Sequence, residues 1–472
     1  MNILKKVFGN KGIKLFVSLI LCFFFLIPVK STAAIEQENY YTVLLKNNNN
    51  YIDIIDLVKE KNIEIVYSIE ELGIIQIRTD KITMQELGEN PLIDTYNFSL
   101  RTIGTQIETD KKTYINSASS LWDKQWDMKK ITNNGKSYDV FSGSKNVVVG
   151  IIDSGLDMNH PDLKNNIVTG SKNLVPKGGF RGKEKEEDGD INNSIDKLGH
   201  GTYVSGQIAA NGKIKGVAPN VGIKSYRVFG ERTAESLWII KGIIEAAKDD
   251  VDVINISLGD YLIDGMAFLE NQPTKNDIAE IKAFKEAIEF AEKQGSVVVA
   301  AAGNNSLDVN NKKQMYQFLQ KKLRNDGITL QGNLIDVPAS LPGVVTVSSI
   351  GPSNNLASFS NFGKDFIDIA APGGDNRLFQ RYGFETWSDQ KMYEKEQVIS
   401  TGLEQDYIYD AGNSVAAPKI SGALALIIDK KKFKNQPEQS VNYLYNHGVD
   451  YVPHAESLMG KGVLNVFKLL QE

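Results

Sequence analysis

At 472 residues, with 42% apolar residues and a net charge of −5, the chain is long enough for a sizeable core and more than one domain. It lacks the basic excess of a nucleic-acid binder and the low hydrophobicity of a disordered protein. Its single cysteine, Cys22, excludes a disulfide framework, so any exported form is held together by its core.

The N-terminus is charged and then apolar. Lys5, Lys6, Lys11 and Lys14 precede the apolar run 15–29, and Ser31-Thr32-Ala33-Ala34 follows with small residues suited to a cleavage site. The run is shorter than the roughly 20 residues a bilayer crossing needs, and Pro28 lies near its end. Residues 1–34 therefore read as a secretory signal peptide that removes Cys22 with it. At the other end, residues 467–472 carry no long apolar tail, which predicts release rather than anchoring.

Between residues 35 and 101 the pattern is that of a small separate unit. Strand-like runs at 41–45, 63–67, 74–78 and 92–96 alternate with helical segments at 51–60 and 84–88. The order β-α-β-β-α-β describes an α+β ferredoxin-like domain. A linker, residues 102–125, follows; up to residue 120 it is rich in Thr, Lys and Ser and reads as solvated and open to proteases.

Residues 126–472 form the main domain, and four stretches in it carry chemistry. Residues 145–155 are a β-branched run ending at Asp153, the profile of a buried parallel strand with a ligand-facing carboxyl end. Alone, Asp153 suits a turn or a helix cap equally. His200 stands between Gly199 and Gly201 at the start of a helix of small residues, whereas His160, His447 and His454 have no such frame and read as structural. Residues 297–305 form a second buried strand that ends in Gly303-Asn304-Asn305. Ser414 follows a Gly412-Asn413 turn and leads into the small, apolar run 415–428, with Pro418 early enough to sit in a first helical turn. A lone serine there would simply cap the helix.

Together these stretches resemble the subtilisin-family serine proteases, the subtilases. The matching frames are Ile151-Ile152-Asp153-Ser154-Gly155, Gly199-His200-Gly201-Thr202, Ala301-Ala302-Gly303-Asn304 and Gly412-Asn413-Ser414-Val415-Ala416-Ala417-Pro418, in the family's order of Asp, His and Ser. Two positions depart from the family pattern: Asn413 stands where Thr is usual, and Tyr203 where many members have a second His. The resemblance implies an α/β subtilisin-like three-layer fold with a parallel central sheet. It also implies acyl transfer by Asp153, His200 and Ser414, with Asn304 donating to the oxyanion. The ferredoxin-like unit becomes a propeptide that assists folding and inhibits the enzyme.

By the same resemblance, Ser257-Leu258-Gly259 is the edge that pairs with substrate. Asp336, in Leu334-Ile335-Asp336-Val337-Pro338, lies where broad-specificity members carry glycine at the base of the specificity pocket, and there it favours Arg or Lys at P1. The bland alternative is a turn aspartate. Three insertions, 261–276, 306–333 and 374–397, interrupt the family frames; the second holds a helical run at 314–323. With the secretory N-terminus and Asp336, they give the chain the look of a lantibiotic leader peptidase. That likeness implies a secreted enzyme whose partners are a peptide or protein substrate, a lantibiotic precursor in particular, and its own propeptide, with no nucleic acid and no stable membrane anchor. An acidic pocket would also accept Arg101 for self-processing. A broad-specificity secreted exoprotease and a catalytically silent binding protein on the same scaffold are the competing readings.

Catalysis on this scheme needs no cofactor. Asp162 matches a family calcium ligand, which allows a structural calcium ion, although the ligand loop at 210–216 is short. The acidic stretch 184–190 lacks the Gly and Glu of an EF-hand, since Asn193 and Gly199 stand there, and reads as solvated charge.

Overall fold

The structure, a computed structural model, describes residues 39–99, 113–115, 119–231, 233–269, 271–323 and 327–471. The signal-peptide segment, Cys22 and Arg101 lie outside the described residues.

Four strands open the described chain: β1 (Asn39–Leu45), β2 (Glu64–Ile69), β3 (Ile74–Thr79) and β4 (Ile93–Phe98). They pair antiparallel in the order β2-β3-β1-β4, and the helices Tyr51–Glu60 and Lys81–Gly88 cover one face, a ferredoxin-like arrangement. The alternation of the strands explains the layering. Tyr41, Val43, Leu45, Ile75 and Ile77 pack with Ile54, Val58, Met84 and Leu87 into a private core. The second helix starts three residues before its apolar pattern shows, because the Asp80 side chain accepts from Thr83 N at 2.8 Å and caps it.

The linker is not wholly solvated. Its residues Thr113–Ile115 form β5. The main domain continues with β6 (Val148–Asp153), β7 (Lys172–Asn173), β8 (Gly222–Arg227), β9 (Val253–Ile256), β10 (Asp260–Leu269), β11 (Gln272–Lys275) and β12 (Val297–Ala301). Then come β13 (Ile328–Val337), β14 (Val344–Ile350), β15 (Ile369–Pro372), β16 (Val398–Thr401), β17 (Tyr407–Asp410), β18 (Val449–Asp450) and β19 (Val463–Leu464). β5 pairs with β17, just upstream of Ser414.

The central sheet runs β18-β19-β15-β14-β12-β9-β6-β8-β7. Every neighbouring pair is parallel except β18 with β19 at one edge. β12 shows why such a sheet takes helices on both sides. Val297, Val299 and Ala301 join one core with residues of the helices His200–Ala209 and Asn413–Lys431. Val298 and Ala300 join the opposite core with the helices Ser236–Lys248 and Ile278–Lys293. This is the three-layer α/β fold the motifs imply.

The small domain sits on that second helical layer. Leu44, Ile69 and Ile74, on the free face of its sheet, and Leu72 in the turn between β2 and β3 belong to the same core as Trp238 and Ile281. Polar contacts ring this interface: Asn97 Nδ2 donates to Glu280 Oε2 at 2.7 Å, and Asn97 Oδ1 accepts from Ala279 N at 2.9 Å. Gln76 Nε2 reaches Glu235 Oε2 at 3.2 Å.

Two features go beyond the sequence reading. The first two insertions form one unit in which β10 pairs with both β11 and β13, and the helix Lys312–Leu323 packs on it through Met315, Leu319, Tyr261 and Leu334. The acidic stretch 184–190 is exposed along most of its length, as a solvated run would be, but Glu184 and Glu187 turn inward. Glu187 is 2% exposed and binds the fully buried Arg227 guanidinium bidentately, at 2.5 and 2.8 Å. Its charge pattern was legible, but the cation that neutralises it arrives from β8.

Candidate active site

The site lies at the carboxyl ends of β6, β9 and β12, where a parallel sheet opens toward ligands. β6 ends at Asp153, which is fully buried. Its two carboxylate oxygens lie 2.8 and 2.9 Å from His200 Nδ1, so the other ring nitrogen is left for the cleft. Two glycines permit this approach. Gly199 has φ 81, and a Cβ on Gly201 would stand 2.2 Å from Gly155 O.

Asp196, which no motif flagged, holds this arrangement. Its Oδ1 accepts from Gly199 N and from Ser154 Oγ, both at 2.8 Å, and its Oδ2 accepts from Thr202 N at 2.8 Å. Ser154 Oγ in turn accepts from Gly201 N at 2.8 Å. The carboxylate thus satisfies the free amides at the start of the histidine helix and ties them to the residue after Asp153.

Ser414 sits in the first turn of the helix Asn413–Lys431. A Cβ on Gly412 would lie 2.8 Å from Ser414 Oγ, 3.3 Å from Asn304 Nδ2 and 3.6 Å from Ser414 N. The hydroxyl and two amide donors therefore converge on one small space that only glycine leaves open. Asn304 is oriented by its Oδ1, which accepts from Asn413 N at 2.9 Å, so its Nδ2 is the end left facing the cleft. The atypical Asn413 is fully buried, donates to Gly303 O and accepts from Ser360 Oγ at 3.0 Å. Tyr203, the other departure, is buried and donates to Val398 O at 2.6 Å. Both departures are packed and hydrogen-bonded.

Ser257 does more than the edge-strand reading assigned it. Pro418 has no N–H, so Ser414 O lacks its helical partner four residues on. Ser257 Oγ supplies the missing donor at 2.9 Å. Asn255 Nδ2 donates to that hydroxyl at 2.9 Å, and Ser421 Oγ donates to Asn255 Oδ1 at 2.8 Å.

His200, Ser257, Leu258, Gly259, Asn304, Asp336 and Ser414 line one cleft of about 410 Å³. Asp336 is no surface turn: it is 2% exposed and faces Tyr261 across the β10–β13 pair. Its Oδ2 accepts from Asn361 Nδ2 at 3.0 Å, and that amide also donates to Tyr261 OH at 2.7 Å. Burial pushes the Asp336 carboxyl well above its ordinary range, a shift the Asn361 hydrogen bond opposes. Gly303 and Gly259 keep the pocket open. A Cβ on Gly303 would fall 2.7 Å from Asp336 Oδ2, and one on Gly259 3.2 Å from Oδ1.

Asp162 lies away from this cleft. Its Oδ2 accepts from Ile214 N at 3.0 Å and its main-chain carbonyl from Asn211 N at 2.8 Å, which ties down the short loop 211–215. Among the described residues no three His, Cys, Asp or Glu side chains are grouped to hold a metal ion. His160 is buried, with Nδ1 accepting from Asp162 N at 3.2 Å, in keeping with a structural role.

A doubly wound sheet whose carboxyl edge gathers a buried aspartate, an imidazole, a hydroxyl and an amide-lined hole defines a subtilisin-like serine endopeptidase. The profile of the subtilase family matches residues 144–462, and the chain belongs to that family. It is 42% identical over 427 residues to the epidermin leader peptide-processing serine protease EpiP of Staphylococcus epidermidis, covering 88% of this chain and 90% of that protein. Identity to the nisin leader peptide-processing serine protease NisP of Lactococcus lactis subsp. lactis is 42% over 368 residues, 78% of this chain and 52% of that protein. The chain thus spans about half the length of that relative. The crystal structure of EpiP from Staphylococcus aureus matches with a TM-score of 0.82 at 43% identity, covering 92% of this chain and 98% of that one.

Proposed function

We propose that this chain is a secreted serine endopeptidase that removes the leader from a lantibiotic precursor by cutting after Arg or Lys. Ser414 Oγ attacks the scissile carbonyl while His200 takes its proton and then returns it to the leaving amine. Asp153 holds the imidazole tautomer and offsets the imidazolium charge. Asn304 Nδ2 and Ser414 N stabilise the oxyanion. Water then attacks the acyl-enzyme, His200 taking its proton and returning it to Ser414 Oγ as the ester bond breaks, which frees the acid product and the enzyme.

The observation that carries the choice of substrate is the buried carboxyl of Asp336 in the wall of the cleft. An anion there is costly unless a cation pairs with it, which favours a basic P1 side chain. The names of the relatives EpiP and NisP support a leader-bearing precursor as that substrate. Residues 1–34 act as the export signal on this reading. Residues 35–101 act as a propeptide, seated on the helices Ser236–Lys248 and Ile278–Lys293 through a shared core, which is where an inhibitor and folding aid would dock. An enzyme with this pocket accepts Arg101 and matures itself; a mature N-terminus well away from Thr102, or processing that persists in Ser414→Ala, refutes that step.

Cleavage-site mapping on a peptide library tests the whole proposal. Cuts confined to bonds after Arg or Lys, with a lantibiotic precursor cut once at its leader junction, are expected. A broad pattern on casein instead identifies a general exoprotease. Failure of a fluorophosphonate probe to label Ser414 identifies a silent scaffold.

A further inference from the structure

The core beneath the nucleophile contains a fully buried lysine that the acyl-transfer scheme does not use. Lys419, five residues after Ser414 on the same helix, has no solvent exposure. Its Nζ lies 3.0 Å from Asp127 Oδ2, and Asp127 is likewise fully buried. The same Nζ donates to Gln207 Oε1 at 2.5 Å and to Val415 O at 3.3 Å. Three separate pieces of chain meet at this ammonium group. Val415 is the residue after the nucleophile, Gln207 lies on the helix that begins at His200, and Asp127 lies on the helix Trp126–Ile131 that follows the linker.

A buried ammonium is expensive, and burial holds Lys419 below the ordinary lysine range even with Asp127 beside it. An apolar side chain would fill the same volume without that cost, so charge is a poor choice for stability alone. What the charge supplies is direction. Its donors fix the first turn of the serine helix against the histidine helix. The Gln207 amide extends the link, its Nε2 donating to Ile399 O at 3.0 Å in the strand next to β17.

We infer that Lys419 is a positioning residue for the nucleophile: its buried ammonium sets the serine helix against the histidine helix, and Asp127 supplies its counter-charge. The inference rests on the reading of Ser414 and His200 as nucleophile and base. It also places a limit on maturation, because a cut on the C-terminal side of Asp127 would leave Lys419 without its counter-ion.

The test compares Lys419→Met, Asp127→Leu and the Lys419→Met/Asp127→Leu double variant of the full chain after maturation, by Tm, kcat and KM on a peptide with Arg at P1. Each single variant strands one buried charge and lowers Tm. The double variant recovers Tm, yet its kcat remains lowered about ten- to a hundredfold with KM unchanged, the penalty for a displaced reacting group. A double variant with wild-type Tm and wild-type kcat overturns the inference and leaves the pair purely structural. Should the double variant not fold, Gln207→Met decides, because it removes one acceptor and keeps the ion pair. Lowered kcat at unchanged KM supports the inference, and unchanged kcat overturns it. A parallel Ser414→Ala protein that still cuts the peptide would instead sink the catalytic reading on which this one stands.

Discussion

Replacing Asp336 with asparagine should abolish the preference for Arg at P1, and the structure sets the scale of the loss. The carboxyl is 2% exposed and its hydrogen-bond donor is a neutral amide, Asn361 Nδ2, at 3.0 Å. A guanidinium about 4 Å away gains about 4 kcal/mol at an effective dielectric near 20. Against this stands the work of ionising a carboxyl that burial has pushed up. A net advantage of about 2–3 kcal/mol corresponds to roughly 30- to 160-fold in kcat/KM. The sign of the pH dependence follows. In the empty pocket Asp336 is protonated below its raised pKa, and a cationic P1 group binds the ionised form. The preference therefore grows as pH climbs from the ordinary value of 3.8 toward the raised one, by up to about tenfold per unit, and then levels off. Paired fluorogenic peptides with Arg or its neutral isostere citrulline at P1 measure this as a ratio. A ratio that stays flat between about pH 5 and 9, or an Asp336→Asn enzyme that keeps its Arg preference, refutes the argument.

Three further outcomes can be checked. Asn304→Ala should lower kcat by roughly a hundred- to a thousandfold, the cost known for such a donor in subtilisin itself, with little change in KM. Ser257→Ala should strip Ser414 O of its replacement donor, lowering stability by about 1–3 kcal/mol in denaturant unfolding and kcat several-fold. Burial and the neighbouring Asp277 raise the Glu280 carboxyl from 4.5 to about 7 where the small domain covers it. Freed from that cover, it returns toward its ordinary value, so the docked state binds more protons. Docking of residues 39–99 should therefore weaken as pH rises from 4.5 to about 7, by up to about tenfold per unit for one proton, as hydrogen exchange across β1–β4 would report.

What the sequence made legible was chemistry with a local signature. The unbroken apolar run 297–301 announced a strand buried on both faces, and the glycines around His200 and Ser414 announced close approach, because both signals are local to a few residues. Asp336 could be placed by its frame, and its burial then followed from β10 covering β13. The small domain was legible as six alternating elements, whereas the side of its sheet that faces the main domain was not. Leu44 and Ile74 look like any core residues until Trp238 is brought over them.

The illegible part shares one physical cause. Ser257 finds Ser414 across 157 residues, Lys419 finds Gln207 across 212, and Glu187 finds Arg227 across 40, and in each pair neither partner carries a local pattern that predicts the other. Reading 184–190 as solvated charge followed from its composition, which is the usual fate of acidic runs. It holds for the exposed residues and not for Glu187, because a buried guanidinium on β8 needs an anion more than that anion needs water. The joining of the first two insertions into one unit was hidden for the same reason, since strand pairing between β10 and β13 is specified by neither segment alone. Motifs thus locate the atoms that react, and the fold alone discloses the atoms that hold them. For this chain the second group is concentrated around the serine helix, where a proline removes one backbone donor, and a serine from elsewhere in the fold and a lysine one turn along the same helix secure the first turn.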